Sequence, residues 1–252
     1  MRCLLKQKKN MSVLKIIGSG SEGNGYIIEC TDENIVIELG MPFRQYVMAT
    51  DISKTRACLV SHKHGDHFIS RTAERFMKFG VPVMSNADTA SSYTGKDVFG
   101  CIKVLEEQKP VKTGGFTIRP IRLEHSADNY GYIITHQEFG KLVFATDTTC
   151  FPYKIKNINH LLIEANYSPD IIIDGKLSGK ENRSKFNDHL SIKQSVDAIA
   201  ENVSERTKNI VLIHLSDSNS DASAFCRAVT GIAPQSKVYI ADPRNKIQEI
   251  YL

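Results

Sequence analysis

Short apolar runs of strand length, each closed by turn residues, constrain this chain more than any other feature. "SVLKIIG" (12–18) and "GYIIEC" (25–30) alternate with turn residues, and "NIVIELG" (34–40) follows them. "ACLVS" (57–61), "VPVMS" (81–85), "FTIRPIRLE" (116–124), "YGYIITH" (130–136), "KLVFATD" (141–147), "HLLIEAN" (160–166) and "NIVLIHLS" (209–216) continue the series. Runs this short and this rich in Val, Ile and Leu read as strands. Helical spacing appears in three places. Phe68, Ile69, Ala73, Phe76, Met77 and Phe79 recur at helical intervals within 68–79. "SIKQSVDAIAENV" (191–203) follows with Ser191 as N-cap, and "DASAFCRAVTG" (221–231) reads as a helix stopped by Gly231. Strands dominate the first two-thirds and helices are interspersed, so the class is α/β or α+β.

No Pro/Gly/Ser-rich linker divides the 252 residues, so one domain is expected over 12–252, preceded by a flexible basic tail at 1–11. "MRCLLKQKKN" is too weakly apolar for a secretory signal, and no apolar run approaches the ~20 residues that span a bilayer. Six cysteines are scattered without CxxC spacing, which excludes a zinc ribbon and reads as buried or idle thiols in a reducing cytoplasm. The net charge of +4 permits an anionic substrate without requiring one.

"GSGSEG" (18–23) fits the GxGxxG pattern of a dinucleotide-binding loop. That loop works only when a helix follows, because the helix N-terminal amides hold the pyrophosphate. Here "NGYIIECTDENIVIE" follows and alternates like a hairpin. The glycines therefore make a sharp turn between two strands, and a nicotinamide enzyme is excluded. With no GK[ST] P-loop and no GxSxG elbow, nucleophilic serine catalysis has no motif either.

"LVSHKHGDHF" (59–68) places His62, His64, Asp66 and His67 within six positions of a chain that has eight histidines. On a helix, residues i and i+2 face apart. On a strand end running into a loop they share a side, so His62 and His64 can reach one metal ion while Asp66 and His67 turn toward a second position. A divalent ion such as zinc needs three or more protein donors at about 2.0–2.2 Å. Candidates stand where other apolar runs stop: His125, Asp147 and His214. His136 and His160 lie in no motif and are assigned no role.

"SHKHGDH" matches the HxHxDH signature of the metallo-β-lactamase superfamily, and His125, Asp147 and His214 follow in the order of its later ligands. The resemblance spans roughly residues 12–240. It implies a four-layer αββα sandwich with two divalent metals, zinc or manganese, at one edge. By this similarity His62, His64 and His125 hold the first metal, Asp66, His67 and His214 hold the second, and Asp147 bridges them. The superfamily usually has a supporting aspartate where this chain has Glu38. Within the superfamily, "HSADNYGYII" resembles tRNase Z, whereas "LLIEANYS", "DHLSIKQSVDAIA" and "LIHLSDSNS" look most like the YycJ/WalJ-type DNA exonucleases and their phage-borne relatives. The tRNase Z likeness places His189 beside the scissile phosphate with Glu164 nearby. A histidine of that family's relay is replaced here by Ile163.

The function so implied is a phosphodiesterase, a 5′-exonuclease-like nuclease acting on DNA or RNA. A hydroxide shared by the two metals attacks in line, Asp66 orients it, His189 protonates the leaving oxygen and Glu164 orients His189. Lys176, Lys180, Arg183 and Lys185 on the polar, basic stretch 175–188 guide phosphates. Two other classes compete: a hydrolase of small phosphodiesters such as cyclic nucleotides, and a metal-binding module without catalysis. The expected partner is a nucleic acid or nucleotide, with no membrane, and self-association into a homo-oligomer is left open.

Overall fold

The alternation in the apolar runs proves to be the alternation of two buried faces. The computed structural model describes residues 11–97, 100–174, 188–242 and 246–252. Among these, β1 (Val13–Gly18), β2 (Gly25–Glu29), β3 (Asn34–Ile37), β4 (Thr55–Leu59), β5 (Val83–Ser85), β6 (Ile102–Val104) and β14 (Gln248–Tyr251) form one sheet, in the order β14-β1-β2-β3-β4-β5-β6. The second sheet runs β13-β12-β11-β10-β9-β8-β7, built from β7 (Val111–Thr113), β8 (Phe116–Leu123), β9 (Asn129–His136), β10 (Gly140–Ala145), β11 (His160–Glu164), β12 (Asn209–Ile213) and β13 (Lys237–Ile240).

Successive side chains of a strand face opposite ways. Ile35, Ile37, Ala57 and Leu59 of the first sheet meet Tyr132, Phe144, Leu162 and Val211 of the second in the central core. Val36 and Cys58 face outward and pack on α1 (Phe43–Ala49) and α2 (Ser70–Lys78) through Tyr46, Ala49, Phe76 and Met77. On the other side, Ile163, Ile210 and Leu212 face outward onto α5 (Ile192–Asn202) and α6 (Ala222–Ile232) through Ile199, Phe225 and Val229. Helix, sheet, sheet and helix give four layers, the α+β sandwich that the sequence led us to expect. Two short helices, α3 (Ala87–Ser91) and α4 (Pro169–Asp174), and a 3-10 turn at Ile52–Lys54 complete the described elements.

β1 and β2 pair antiparallel across the glycine turn, so no helix follows "GSGSEG". Ser191 caps α5 in a capping box, its Oγ accepting from the Gln194 amide at 3.3 Å while Gln194 Oε1 accepts from the Ser191 amide at 2.9 Å. Gly231 does not stop α6. The helix runs on to Ile232 and ends at Ala233, because a glycine terminates a helix only where the chain adopts a left-handed turn. Of the expected tail, 1–10 lies outside the described residues.

Strand direction then places the site. β3 and β4 are parallel, as are β10, β11 and β12, and β8 is antiparallel to β9, which is antiparallel to β10. The carboxyl ends of β3, β4, β8, β10, β11 and β12 therefore share one edge, where open sheets gather ligand-binding residues.

His160, at the opposite end of β11, shows how the core treats an unpaired imidazole. Its Nε2 donates to the Phe139 carbonyl at 3.2 Å and its Nδ1 accepts from Asn209 Nδ2 at 3.0 Å. Burial first, then the Lys208 charge, push its pKa down to about 4. The unfolded chain, with a histidine near 6.5, thus binds the proton more readily than the folded one between those values. Stability falls as pH drops from about 6.5 to 4, by roughly 2–3 kcal/mol from this residue. Urea unfolding at pH 7 and pH 4.5 should show His160→Gln losing less stability on acidification than the wild type. An equal loss in both proteins would remove His160 as the cause.

Candidate metal centre

Six functional side chains stand at or just beyond strand ends. Glu38 follows β3 directly, His62 follows β4 through "VS", His125 stands two residues past β8, and Asp147 two past β10. Glu164 is the last residue of β11 and His214 the first after β12. Glu38, Asp147 and His214 have φ of 64°, 50° and 54°. Non-glycine residues held there cost on the order of 1–3 kcal/mol each, and such strain gathers at functional sites.

The turn after β1 is locked onto this edge. Asp66 O accepts from the Asn24 amide at 2.7 Å, and a Cβ on Gly40 would lie 1.6 Å from that same oxygen. Only glycine at 40 lets the two loops meet.

His62, His64 and His125 form one group. His62 Nε2 lies 3.0 Å from His64 Nδ1, which lies 3.2 Å from His125 Nε2. The far nitrogens have their own partners: His62 Nδ1 meets Ser61 Oγ at 2.9 Å, and His125 Nδ1 donates to the Asp188 carbonyl at 3.1 Å. Fixing the far nitrogen in this way turns the near lone pair inward, the usual support of a metal-binding imidazole. Burial lowers the pKa of both His62 and His125, so both rings stay neutral.

Asp66, His67, Asp147 and His214 form the second group. His67 Nε2 lies 3.1 Å from both Asp66 Oδ2 and Asp147 Oδ2, and His214 Nε2 lies 3.5 Å from Asp66 Oδ2. Asp147 Oδ2 is also 3.6 Å from His62 Nε2, so one carboxylate stands between the groups. Burial would raise Asp66, but the His214 and His67 rings overrule it and hold it well below the usual carboxylate range. Burial would likewise lower His214, yet Asp147, Asp66 and Glu164 bring it up to about 10. His67 rises for the same reason, with Asp147 and Glu38 outweighing burial.

These observations fit divalent cations. Three ring nitrogens, two of them on imidazoles that burial keeps neutral, face one another at 3.0 and 3.2 Å. Beside them, the negative field that draws protons onto His67 and His214 draws a cation equally well. Imidazole and carboxylate donors suit zinc or manganese.

His189 and Glu164 complete the arrangement. Glu164 Oε1 pairs with His189 Nδ1 at 2.6 Å, while Oε2 accepts from the Thr148 and Leu190 amides at 3.0 and 3.2 Å. The His189 ring stacks on His214 with centroids 5.4 Å apart and lies 5.8 Å from His125. Burial lowers its pKa, but the Glu164 charge outweighs this and raises it. Ser191, not His189, is the N-cap of α5.

All nine described candidates thus come together, while Lys176, Lys180, Arg183 and Lys185 lie outside the described residues. Glu38 accepts from the Ser61 amide at 3.3 Å and stands 3.5 Å from His67 Nδ1, so its longer side chain still reaches the supporting position. Two amides escaped the sequence reading. Asn24 Nδ2 lies 3.1 Å from His67 Nε2, and Asn166 Nδ2 lies 3.2 Å from His214 Nδ1. Asn166 sits in the "EAN" run; Asn24 carries no signal beyond the turn it belongs to.

Comparison with known proteins agrees with this geometry. Exodeoxyribonuclease WalJ of Streptococcus pneumoniae is 25% identical over 252 residues, covering 90% of this chain and 93% of its own. Exodeoxyribonuclease YycJ of Bacillus anthracis is 23% identical over 263 residues, covering 93% and 98%. The metallo-beta-lactamase fold protein YhfI of Bacillus subtilis superimposes with a TM-score of 0.76 at 18% identity, covering 96% of this chain and all of that one. The sequence pattern of the beta-lactamase superfamily domain matches residues 34–215, well over half the chain and every metal-ligand candidate, so the chain belongs to that superfamily.

Proposed function

We propose that the protein is a metal-dependent phosphodiesterase, a nuclease of the 5′-exonuclease type, holding two divalent ions, zinc or manganese. The single observation that carries this reading is the pair of donor groups meeting at Asp147, with the His189–Glu164 pair beside them. The names of the WalJ and YycJ relatives support DNA as the polymer.

His62, His64 and His125 would hold one ion, Asp66, His67 and His214 the other, with Asp147 reaching both. Two ions held so supply a nucleophile at neutral pH and positive charge for the phosphate oxygens. The chain's own residues do the rest. Asp66, ionised and partly open to solvent, accepts a hydrogen bond from the attacking group and fixes the direction of attack. His189, kept protonated by Glu164, gives its proton to the leaving oxygen. Lys176, Lys180, Arg183 and Lys185 steer the phosphates, and 12–252 acts as one hydrolase domain. The setting is a reducing cytoplasm, in keeping with five described cysteines that are all free. No helix among the described residues is long and apolar enough to cross a membrane.

The test is hydrolysis of 5′-phosphorylated linear duplex DNA by the metal-loaded protein. Stepwise release of nucleotides is expected. Binding of the same DNA to Asp66→Ala should weaken by about 10- to 100-fold between roughly 50 and 200 mM salt, because several phosphates shed counterions. Fluorescence anisotropy reads this. A change of only a few-fold, with cyclic nucleotides cleaved instead, would replace the polymer by a small phosphodiester.

A further inference from the structure

A second group of metal-ligating side chains lies at the other edge of the sandwich. Cys30 begins the β2–β3 turn, His136 is the last residue of β9, and Glu138 belongs to the β9–β10 turn. Both turns lie at the ends of β3 and β10 opposite Glu38 and Asp147. The six residues of β10 alone put about 20 Å between the two edges.

Cys30 Sγ lies 3.4 Å from His136 Nδ1, and a carboxylate oxygen of Glu138 lies within 4.8 Å of both. The geometry around His136 is that of a prepared ligand. The Glu138 amide donates to Nδ1 in a long 3.3 Å contact, which a cation bound at Nδ1 would displace, so Nδ1 is the acceptor nitrogen and Nε2 carries the proton. That proton meets Glu33 Oε1 at 3.3 Å. Glu33 is itself held by Arg56 Nε at 2.8 Å and by the Gly115 amide at 2.8 Å. A carboxylate fixed on the far nitrogen is the support that metal-bound histidines have, and it sets the Nδ1 lone pair toward the thiol. Glu138 is anchored as firmly, with Ser12 Oγ donating to Oε2 at 3.0 Å and the Thr31 amide donating to the carboxylate at 3.2 Å. Cys30 and His136 are buried while Glu138 is half-buried, so an ion has a path in and solvent can fill a fourth position.

We propose that Cys30, His136 and Glu138 bind a thiophilic divalent cation, zinc or a close analogue, which ties the first sheet to the second at the edge remote from the catalytic centre. Thiolate, imidazole and carboxylate form a donor set that zinc accepts, with water as fourth ligand. The thiol gives its proton to solvent as the cation binds, so occupancy rises with pH. Without the ion, burial pushes the Cys30 thiol up to about 12, which keeps it protonated and inert. The role is structural, because no group of the first centre lies here.

Cobalt(II) titrated into the whole protein tests this, because the catalytic centre offers only nitrogen and oxygen donors. A near-ultraviolet thiolate-to-cobalt charge-transfer band is expected. It should vanish in Cys30→Ser and in His136→Gln, and persist in Cys150→Ser and Cys226→Ser. DNA hydrolysis by Cys30→Ser should stay at the wild-type rate, which separates this site from the catalytic reading. If wild-type protein shows the ligand-field bands of a nitrogen–oxygen centre and no thiolate band, the proposal is overturned. A band that survives Cys30→Ser overturns it equally. Should either variant fail to fold, cadmium-113 resonance of the wild-type protein decides: a sulfur-ligated signal sustains the site, and only nitrogen–oxygen signals remove it.

Discussion

Asp66→Ala should abolish DNA hydrolysis, with kcat falling at least about 10³-fold, the equivalent of roughly 4 kcal/mol of transition-state stabilisation. Three groups converge on the lost carboxylate: His67 Nε2 at 3.1 Å, Asn24 Nδ2 at 3.4 Å and His214 Nε2 at 3.5 Å. Removing it strips the second group of one of its two carboxylates and leaves two imidazoles without their counter-charge. The His62–His64–His125 group is untouched, so total bound metal should fall by about one ion per chain relative to the wild type, measured by elemental analysis. The fold should persist, because the Asp66 backbone carbonyl, not its side chain, locks the Asn24 turn in place. An unchanged melting temperature checks that point. Asp66→Asn keeps the shape and removes the charge, and should be almost as inactive as Asp66→Ala. Near wild-type turnover in either variant would take Asp66 out of the chemistry and with it the reading of the second group as a metal site.

Much of the arrangement was legible because the chemistry sits where strands end. His62 and His64 alternate after an apolar strand, and Asp147 and His214 each close one, so period-2 patterning carries both fold and candidates. The edges were less legible. β6 (Ile102–Val104), β7 (Val111–Thr113) and β13 (Lys237–Ile240) have no fully buried residue, and β14 (Gln248–Tyr251) only Ile250. Such strands are recruited by the sheet they border, and little in their own sequence marks them. Asn24 was opaque for a different reason. Its closeness to His67 depends on Gly40 admitting the Asp66 carbonyl, a contact between segments that no local pattern encodes. The Cys30–His136 pair is hidden in the same way, since Cys30 follows a strand of one sheet and His136 ends a strand of the other.

The second large effect concerns His189. His189→Ala should slow DNA hydrolysis by about 10²–10⁴-fold, the usual contribution of a placed general acid. Metal content should change little, because His189 belongs to neither proposed donor group: its ring stacks on His214 and lies tilted to His125 at 5.8 Å. A leaving group that needs no proton separates this role from a structural one. With a p-nitrophenyl nucleotide ester the same variant should lose less than about 10-fold. Glu164 adds a pH signature. Its charge raises the His189 pKa against burial, so the acid form is present below that raised value and is lost as pH rises through it. Glu164→Gln can still accept the Thr148 and Leu190 amides through its oxygen, which turns its NH₂ toward His189 Nδ1. The ring then loses its counter-charge, and the alkaline limb of the kcat profile should move to lower pH. If Glu164→Gln leaves that limb in place, or His189→Ala slows both substrates equally, His189 supports the site without donating the proton.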